Sequence, residues 1–224
     1  MKLKASEPFK FRTRLTLVQA TGRKAGNIME LLEGIRESDD SIIYHHTHRF
    51  LKQFHFLVPE PANDFAYWVN NILQEEKLGE ELASVEIVRF NSLEAIKRAF
   101  VEILERHLKQ VSEPMRAVSS GKEFHFLRSI RFSIPTSHQA RDYAEFIECL
   151  RNVSVSTLYL HVFEARLRPP YGVDDFSNWF LKQFNDAEIQ KAISRLDPYS
   201  YTLEGLRRRI IRILEQRIQE MKNA

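Results

Sequence analysis

The chain carries an internal repeat, and that repeat constrains its fold more than any other feature. At an offset of 115 residues, Phe9-Lys10-Phe11 aligns with Phe124-His125-Phe126, Thr21 with Thr136, and Ala25 with Ala140. The same offset lays Glu30-Leu31-Leu32-Glu33 over Glu145-Phe146-Ile147-Glu148, and Tyr44 and His46 over Tyr159 and His161. It then falls to 111, pairing Asn63-Asp64-Phe65 and Trp68 with Asp174-Asp175-Phe176 and Trp179, and to 110, pairing Leu93-Glu94 with Leu203-Glu204. Blocks that recur in order predict a tandem duplication of a module of about 110 residues, with 1–110 and 124–224 as the copies and 111–123 as the linker. Ser112-Glu113-Pro114 and Ser119-Ser120-Gly121 punctuate that linker.

Composition narrows the class. Only 7 of 224 residues are glycine, and no glycine-rich phosphate loop or dinucleotide fingerprint is present. Lys and Arg total 33 against 30 Asp and Glu, a net charge of +3, too small to demand a nucleic-acid partner. The single Cys149 cannot form an internal disulfide. With no apolar leader and no run of the roughly 18 apolar residues that a membrane span needs, the expected setting is cytoplasmic and reducing.

Local patterning predicts a mainly α protein with minor β. Apolar residues alternate through 9–18 and 124–134, which predicts a short leading strand in each copy. The two strands are expected to pair across a pseudo-two-fold axis, because a lone strand leaves its backbone groups unsatisfied. About five helices follow in each copy. Asn27-x-x-Glu30 and Asp142-x-x-Glu145 read as capping boxes, Ser41 and Ser156 as caps of the next helix, and Asn63 and Asp174 as caps of the third. Apolar spacing places further helices over 78–85, 93–108 and 203–218.

These motifs resemble a known family. Ser41-Ile42-Ile43-Tyr44-His45-His46-Thr47-His48, followed by Asn63-Asp64-Phe65-Ala66-Tyr67-Trp68, and in the second half Tyr159-Leu160-His161 with Asp175-Phe176-Ser177-Asn178-Trp179, are similar to an uncharacterised prokaryotic family described only as a domain of unknown function. The resemblance covers nearly the whole chain and implies no reaction, cofactor or partner. More loosely, the segments look like small helical modules attached to diverse prokaryotic proteins, which favours binding or scaffolding.

The repeated residues are the ligand-binding candidates: Tyr44, His46, Asp64 and Trp68, with Tyr159, His161, Asp175 and Trp179. The competing structural reading makes each His–Asp pair a satisfied polar lock between helices, with Phe and Trp filling the core. Glu164 and Arg166, together with Arg168, offer charged groups for an anionic ligand, against a surface ion-pair network. His45, His48 and His55 are metal candidates for a divalent ion, although the spacing is not His-Glu-x-x-His and the second copy has Leu160 and Phe163 in place of His45 and His48. The Arg207–Arg212 stretch could present a basic face to nucleic acid. The sequence favours a non-enzymatic binding, adaptor or regulatory module acting on a protein partner or small ligand, with no cofactor required. A metal- or small-molecule-dependent enzyme built on His45, His46, His48 and Asp64, and nucleic-acid binding, are the alternatives.

Overall fold

A computed structural model describes residues 4–53, 63–110, 116–168, 172–196 and 201–223, with the backbone alone for 49–53 and 88. The fold is mainly helical with one two-stranded sheet among the described residues. Strand β1 (Phe9–Ala25) precedes α1 (Ile28–Arg36), α2 (Asp40–Gln53), α3 (Asp64–Asn71), α4 (Glu76–Ala83) and α5 (Leu93–Gln110). Strand β2 (Phe124–Ala140) precedes α6 (Tyr143–Asn152), α7 (Val155–Val162), α8 (Asp175–Phe184), α9 (Ala187–Ser194) and α10 (Leu203–Asn223).

The two strands pair with each other, and they run antiparallel. Thr21 Oγ1 donates to the Phe126 carbonyl at 2.7 Å, and Thr136 Oγ1 donates to the Phe11 carbonyl at 2.8 Å. Both strands are longer than alternation predicts. Their polar second halves lack an apolar signal, yet each strand stays extended until it buries a small residue, Ala25 or Ala140.

The chain divides into two compact units. One comprises Thr16–Arg131, the other Met1–Leu15 with Phe132–Ala224. Packing units and sequence halves are therefore different sets of residues. Phe9 and Phe11 open the chain but pack in the unit of α6 to α10, where Phe9 lies 5.3 Å from Phe146 and 5.3 Å from Phe176. Phe124 and Phe126 pack in the unit of α1 to α5, with Phe124 5.3 Å from Phe65 and 5.8 Å from Trp68. Edge-to-face and tilted aromatic contacts of this kind fill space tightly and add to burial. Gly34 is needed in that packing, because a Cβ there would overlap the Phe126 ring.

Helix starts follow their side-chain chemistry. Asn27 Oδ1 accepts the Glu30 N–H at 2.9 Å, and Asp142 Oδ1 accepts the Glu145 N–H at 2.8 Å. The glutamates reach back one residue beyond the cap, to the N–H groups of Gly26 (2.7 Å) and Arg141 (2.8 Å). Asn63 and Asp174 cap α3 and α8 through the N–H groups of Ala66 and Ser177. Ser41 and Ser156 are not caps. Asp39 accepts the N–H groups of Ser41 and Ile42, and Ser154 caps α7, so both helices begin earlier, at the first side chain able to turn back onto the backbone.

Candidate functional site

His46 lies on α2, a helix entered through the Asp39 cap, and His161 lies on α7, entered through Ser154. Both imidazoles are almost wholly buried. His46 Nδ1 is 2.9 Å from Asp64 Oδ2 on α3, and His46 Nε2 is 3.0 Å from the backbone nitrogen of Leu127 on β2. His161 repeats this, with Nδ1 2.6 Å from Asp175 Oδ2 on α8 and Nε2 2.9 Å from the backbone nitrogen of Arg12 on β1. A backbone N–H only donates, so each Nε2 is an acceptor without a proton, and each Nδ1–H donates to its carboxylate. Both ring nitrogens are thereby used. The imidazole takes the place of a third strand at the sheet edge and satisfies a part-buried backbone N–H.

The tryptophans act on the same segments. Trp68 Nε1–H donates to the Lys122 carbonyl at 2.9 Å, and Trp179 Nε1–H donates to the Glu7 carbonyl at 3.1 Å, each just before a strand. Tyr44 is buried, stacks on His48 at 5.3 Å and lies under the Arg131 guanidinium at 4.2 Å. Tyr159 is buried and packs 5.4 Å from Phe163. The repeated tyrosine, histidine and tryptophan side chains hence face the core, while Asp64 and Asp175 stay partly exposed.

The charged candidates of the second half separate. Glu164 is buried and ion-paired with Arg14 of β1. Arg166 donates to the Ser194 carbonyl at 3.1 Å, and Arg168 donates to Asp175 Oδ2 at 2.5 Å, joining the His161 pair. Sequence reasoning missed Arg14, and the repeat held a signal for it. Ser129 and Arg49 occupy the positions of Arg14 and Glu164 in the other half, so both members change together.

Among the histidines, His45 Nδ1 is 3.0 Å from Ser129 Oγ, and His48 Nδ1 is 2.8 Å from Thr47 Oγ1. His55 lies outside the described residues. Among the described residues, the group with metal-like proximity is His45, His46 and Asp64, whose ligand atoms lie within 4.8 Å of one another. Its hydrogen bonding opposes metal ligation by His46. A cation on Nδ1 would leave the ring proton on Nε2, and two donors would then face each other across the 3.0 Å to Leu127.

The basic stretch on α10 is corrected in one respect. Arg207 is buried, and its Nη1 donates to the Leu150 carbonyl at 2.5 Å and the Val153 carbonyl at 2.6 Å. It therefore satisfies the carboxyl end of α6, as a cation suits a helix C-terminus, and offers nothing to nucleic acid. Arg208, Arg209 and Arg212 are exposed.

A cleft of about 290 Å³ is lined by Leu73, Gln74, Arg116, Ser119 and Lys122, among others, in the unit of α1 to α5. None of the histidines or aspartates above lines it. Cys149 is a buried free thiol, and burial pushes its ionisation above the ordinary range, which suits packing and not nucleophilic attack. No helix among the described residues is long and apolar enough to cross a membrane.

Fold and site together define a mainly helical protein whose two-stranded sheet is held at its edges by buried histidines, each paired with a partly exposed aspartate. The chain belongs to a family described as a family of unknown function (DUF5752), which matches residues 6–215. It is also similar to OrfY from Thermoproteus tenax, at 31% identity over 95% of this chain and 96% of that one, with a TM-score of 0.80. No functionally curated protein matches it.

Proposed function

We propose that this chain is a non-enzymatic binding or adaptor module made of two copies of one helical fold, and that it docks another polypeptide on its strands. The observation that carries the reading is apolar exposure on the strands. In the unit of α6 to α10, Leu15 is 49%, Phe132 47% and Ile134 41% exposed; in the other unit, Leu17 is 50%, Val18 47% and Ile130 38% exposed. Large apolar side chains left exposed on the strands of each unit, outside a well-filled core, mark an interaction surface. The His–Asp pairs favour the same reading, since each imidazole has one ring nitrogen committed to a strand N–H and the other to its carboxylate.

Duplication is supported by contacts that recur at the repeat offsets. Besides the two His–Asp locks, Arg36 pairs with Glu105 on α5 and Arg151 with Glu215 on α10. Lys97 Nζ donates to the Ser38 carbonyl, and Arg207 does the same to Val153. On α10, Glu204, Glu215 and Glu220 interleave with the exposed arginines, which supports a solvated face there.

Site-specific photo-crosslinking tests the reading. A benzophenone amino acid at Phe132 or Leu17, introduced into the full chain in its cell of origin, is expected to give a defined polypeptide adduct. The same group at exposed Tyr67 on α3 is expected to give none. Equal labelling at all three positions, or none at Phe132 and Leu17, would overturn it.

A further inference from the structure

We infer that the cleft beside the end of α3 and the segment leading into β2 binds a small phosphate-bearing ligand, at a site that does not depend on the docking reading above. The cleft lies wholly within the unit of α1 to α5, and its volume of about 290 Å³ falls at the lower edge of the roughly 300–1,000 Å³ of small-molecule pockets. Arg116 and Lys122 line it with Ser119 and Gln74, and no carboxylate is among its described lining residues. Among the described residues, neither cation takes part in an ion pair. The carboxylate next in sequence, Glu123, accepts the Gly121 N–H at 2.8 Å and is drawn to Lys24 and His125. The segment that carries the two cations is anchored at its backbone. The Val118 N–H donates to the Gly26 carbonyl at 2.8 Å, and the Lys122 carbonyl accepts Trp68 Nε1–H at 2.9 Å, so little ordering is left for a ligand to impose.

The other unit fills the matching place with its own side chain. Trp179 Nε1–H holds the Glu7 carbonyl as Trp68 holds that of Lys122, so Glu7 and Lys122 occupy matching positions. Gln183 matches Ile72 at the offset of 111. Gln183 Oε1 accepts the Ser6 hydroxyl at 2.8 Å and the Glu7 N–H at 3.2 Å, which ties α8 to the segment before β1. Ile72 has no polar atom for such a tie, and the Lys122 N–H turns to the Ser119 carbonyl at 3.1 Å. The cleft lies where the tie is lost, and the charge beside it changes from Glu7 to Lys122.

Charge selects the ligand. Two full positive charges outweigh the roughly half negative charge that the carboxyl end of a helix presents. A phosphomonoester carries about 1.5 to 2 negative charges on three acceptor oxygens, which matches one guanidinium and one ammonium together. The guanidinium fork suits two of those oxygens and the ammonium the third, whereas a carboxylate uses one cation and leaves the other unanswered. Leu73 and Ala117 give the organic part of an ester an apolar wall.

Titration of the full chain with inorganic phosphate at constant ionic strength, followed by proton–nitrogen NMR, tests the site, with glycerol phosphate and acetate as further arms. Both phosphates are expected to move the amide signals of residues 117–119 and 122 saturably, and acetate to bind at least about 10-fold more weakly. Arg116→Ala and Lys122→Ala are each expected to weaken phosphate binding by about 10-fold or more, through loss of a charge-assisted hydrogen bond. Both positions are exposed, so the rest of the spectrum should stay in place. Arg209→Ala, at an exposed position on α10, is expected to leave binding unchanged. Tighter binding of glycerol phosphate than of inorganic phosphate assigns the site to an ester, and the reverse order to free phosphate; either supports the inference. No saturable movement at millimolar phosphate, equal affinity in wild type and both cleft variants, or acetate bound as tightly as phosphate would overturn it.

Discussion

The Leu127 backbone N–H donates to Nε2 of His46 across 3.0 Å, and the bond ties the first half of β2 to α2. Arg12 does the same to His161 at 2.9 Å for β1 and α7. Each imidazole also holds a carboxylate at the start of the next helix, so one side chain joins a strand and two helices.

Removing the ring breaks two bonds at once. His46→Ala takes the partner from a part-buried N–H and opens space beside Phe65 and Phe124, for a cost of about 2–4 kcal/mol. His161→Ala is expected to cost a similar amount. Urea unfolding followed by circular dichroism measures both, and a loss below about 0.5 kcal/mol for either would mean the lock is not structural.

Asp186 makes the unit of α6 to α10 sensitive to acid. Burial raises its carboxyl, but hydrogen bonds from Arg217, from the Ile189 N–H and from the Tyr143 hydroxyl outweigh burial and hold it below the ordinary range. A carboxyl lowered in the folded state stabilises fully above its unfolded value of about 4, and that contribution disappears as pH falls through the folded value. Asp186→Asn is therefore expected to cost about 1–3 kcal/mol at neutral pH and almost nothing in strong acid. Thermal melts of both proteins at neutral and low pH check this, and an equal loss at both would contradict it.

Asp174 has the opposite sign. It is fully buried at the start of α8, and burial outweighs its bonds to Ser177, so its carboxyl is raised. Asn63 holds the matching position before α3, where its Oδ1 accepts the Ala66 N–H and its Nδ2 donates to the Leu82 carbonyl. Asp174→Asn is expected to change stability by less than about 1 kcal/mol, whereas Asp174→Ala costs about 1–2 kcal/mol by removing the cap. Chemical denaturation ranks the two variants, and the reverse order would refute the argument.

Cutting the linker should not separate the chain. Residues 1–15 complete the unit of α6 to α10, and β2 up to Arg131 completes the unit of α1 to α5. A specific protease site inserted at exposed Ser119-Ser120 is expected to yield two fragments that co-elute on native size exclusion and part only in denaturant. Fragments that elute apart without denaturant would contradict the shared strands.

Much of this was legible because it is local. Capping side chains sit within three residues of the N–H groups they serve, and alternation in Phe9-x-Phe11 and Phe124-x-Phe126 announces strands directly. The cap of α2 was misread because Asp39 and Ser41 are both good caps two residues apart, and Asp39 bonds to Ser41 itself. The destinations of Phe9 and Phe124 were not legible, since alternation says that a face is buried and not against which helices. The bonds from Arg12 and Leu127 to histidine were also hidden. Backbone donors carry no side-chain signature, so the sequence reads His46 and His161 as a lock between helices or as ligand-pocket residues, and not as partners of a strand.

Nitrogen-15 NMR of the two imidazoles tests the central claim, that the repeated His–Asp pairs serve the sheet and not a ligand. Long-range correlation spectra should show His46 and His161 both protonated at Nδ1 and bare at Nε2, unchanged when zinc is added. Protonation at Nε2, or movement of the His46 nitrogen shifts on adding zinc, would contradict the account.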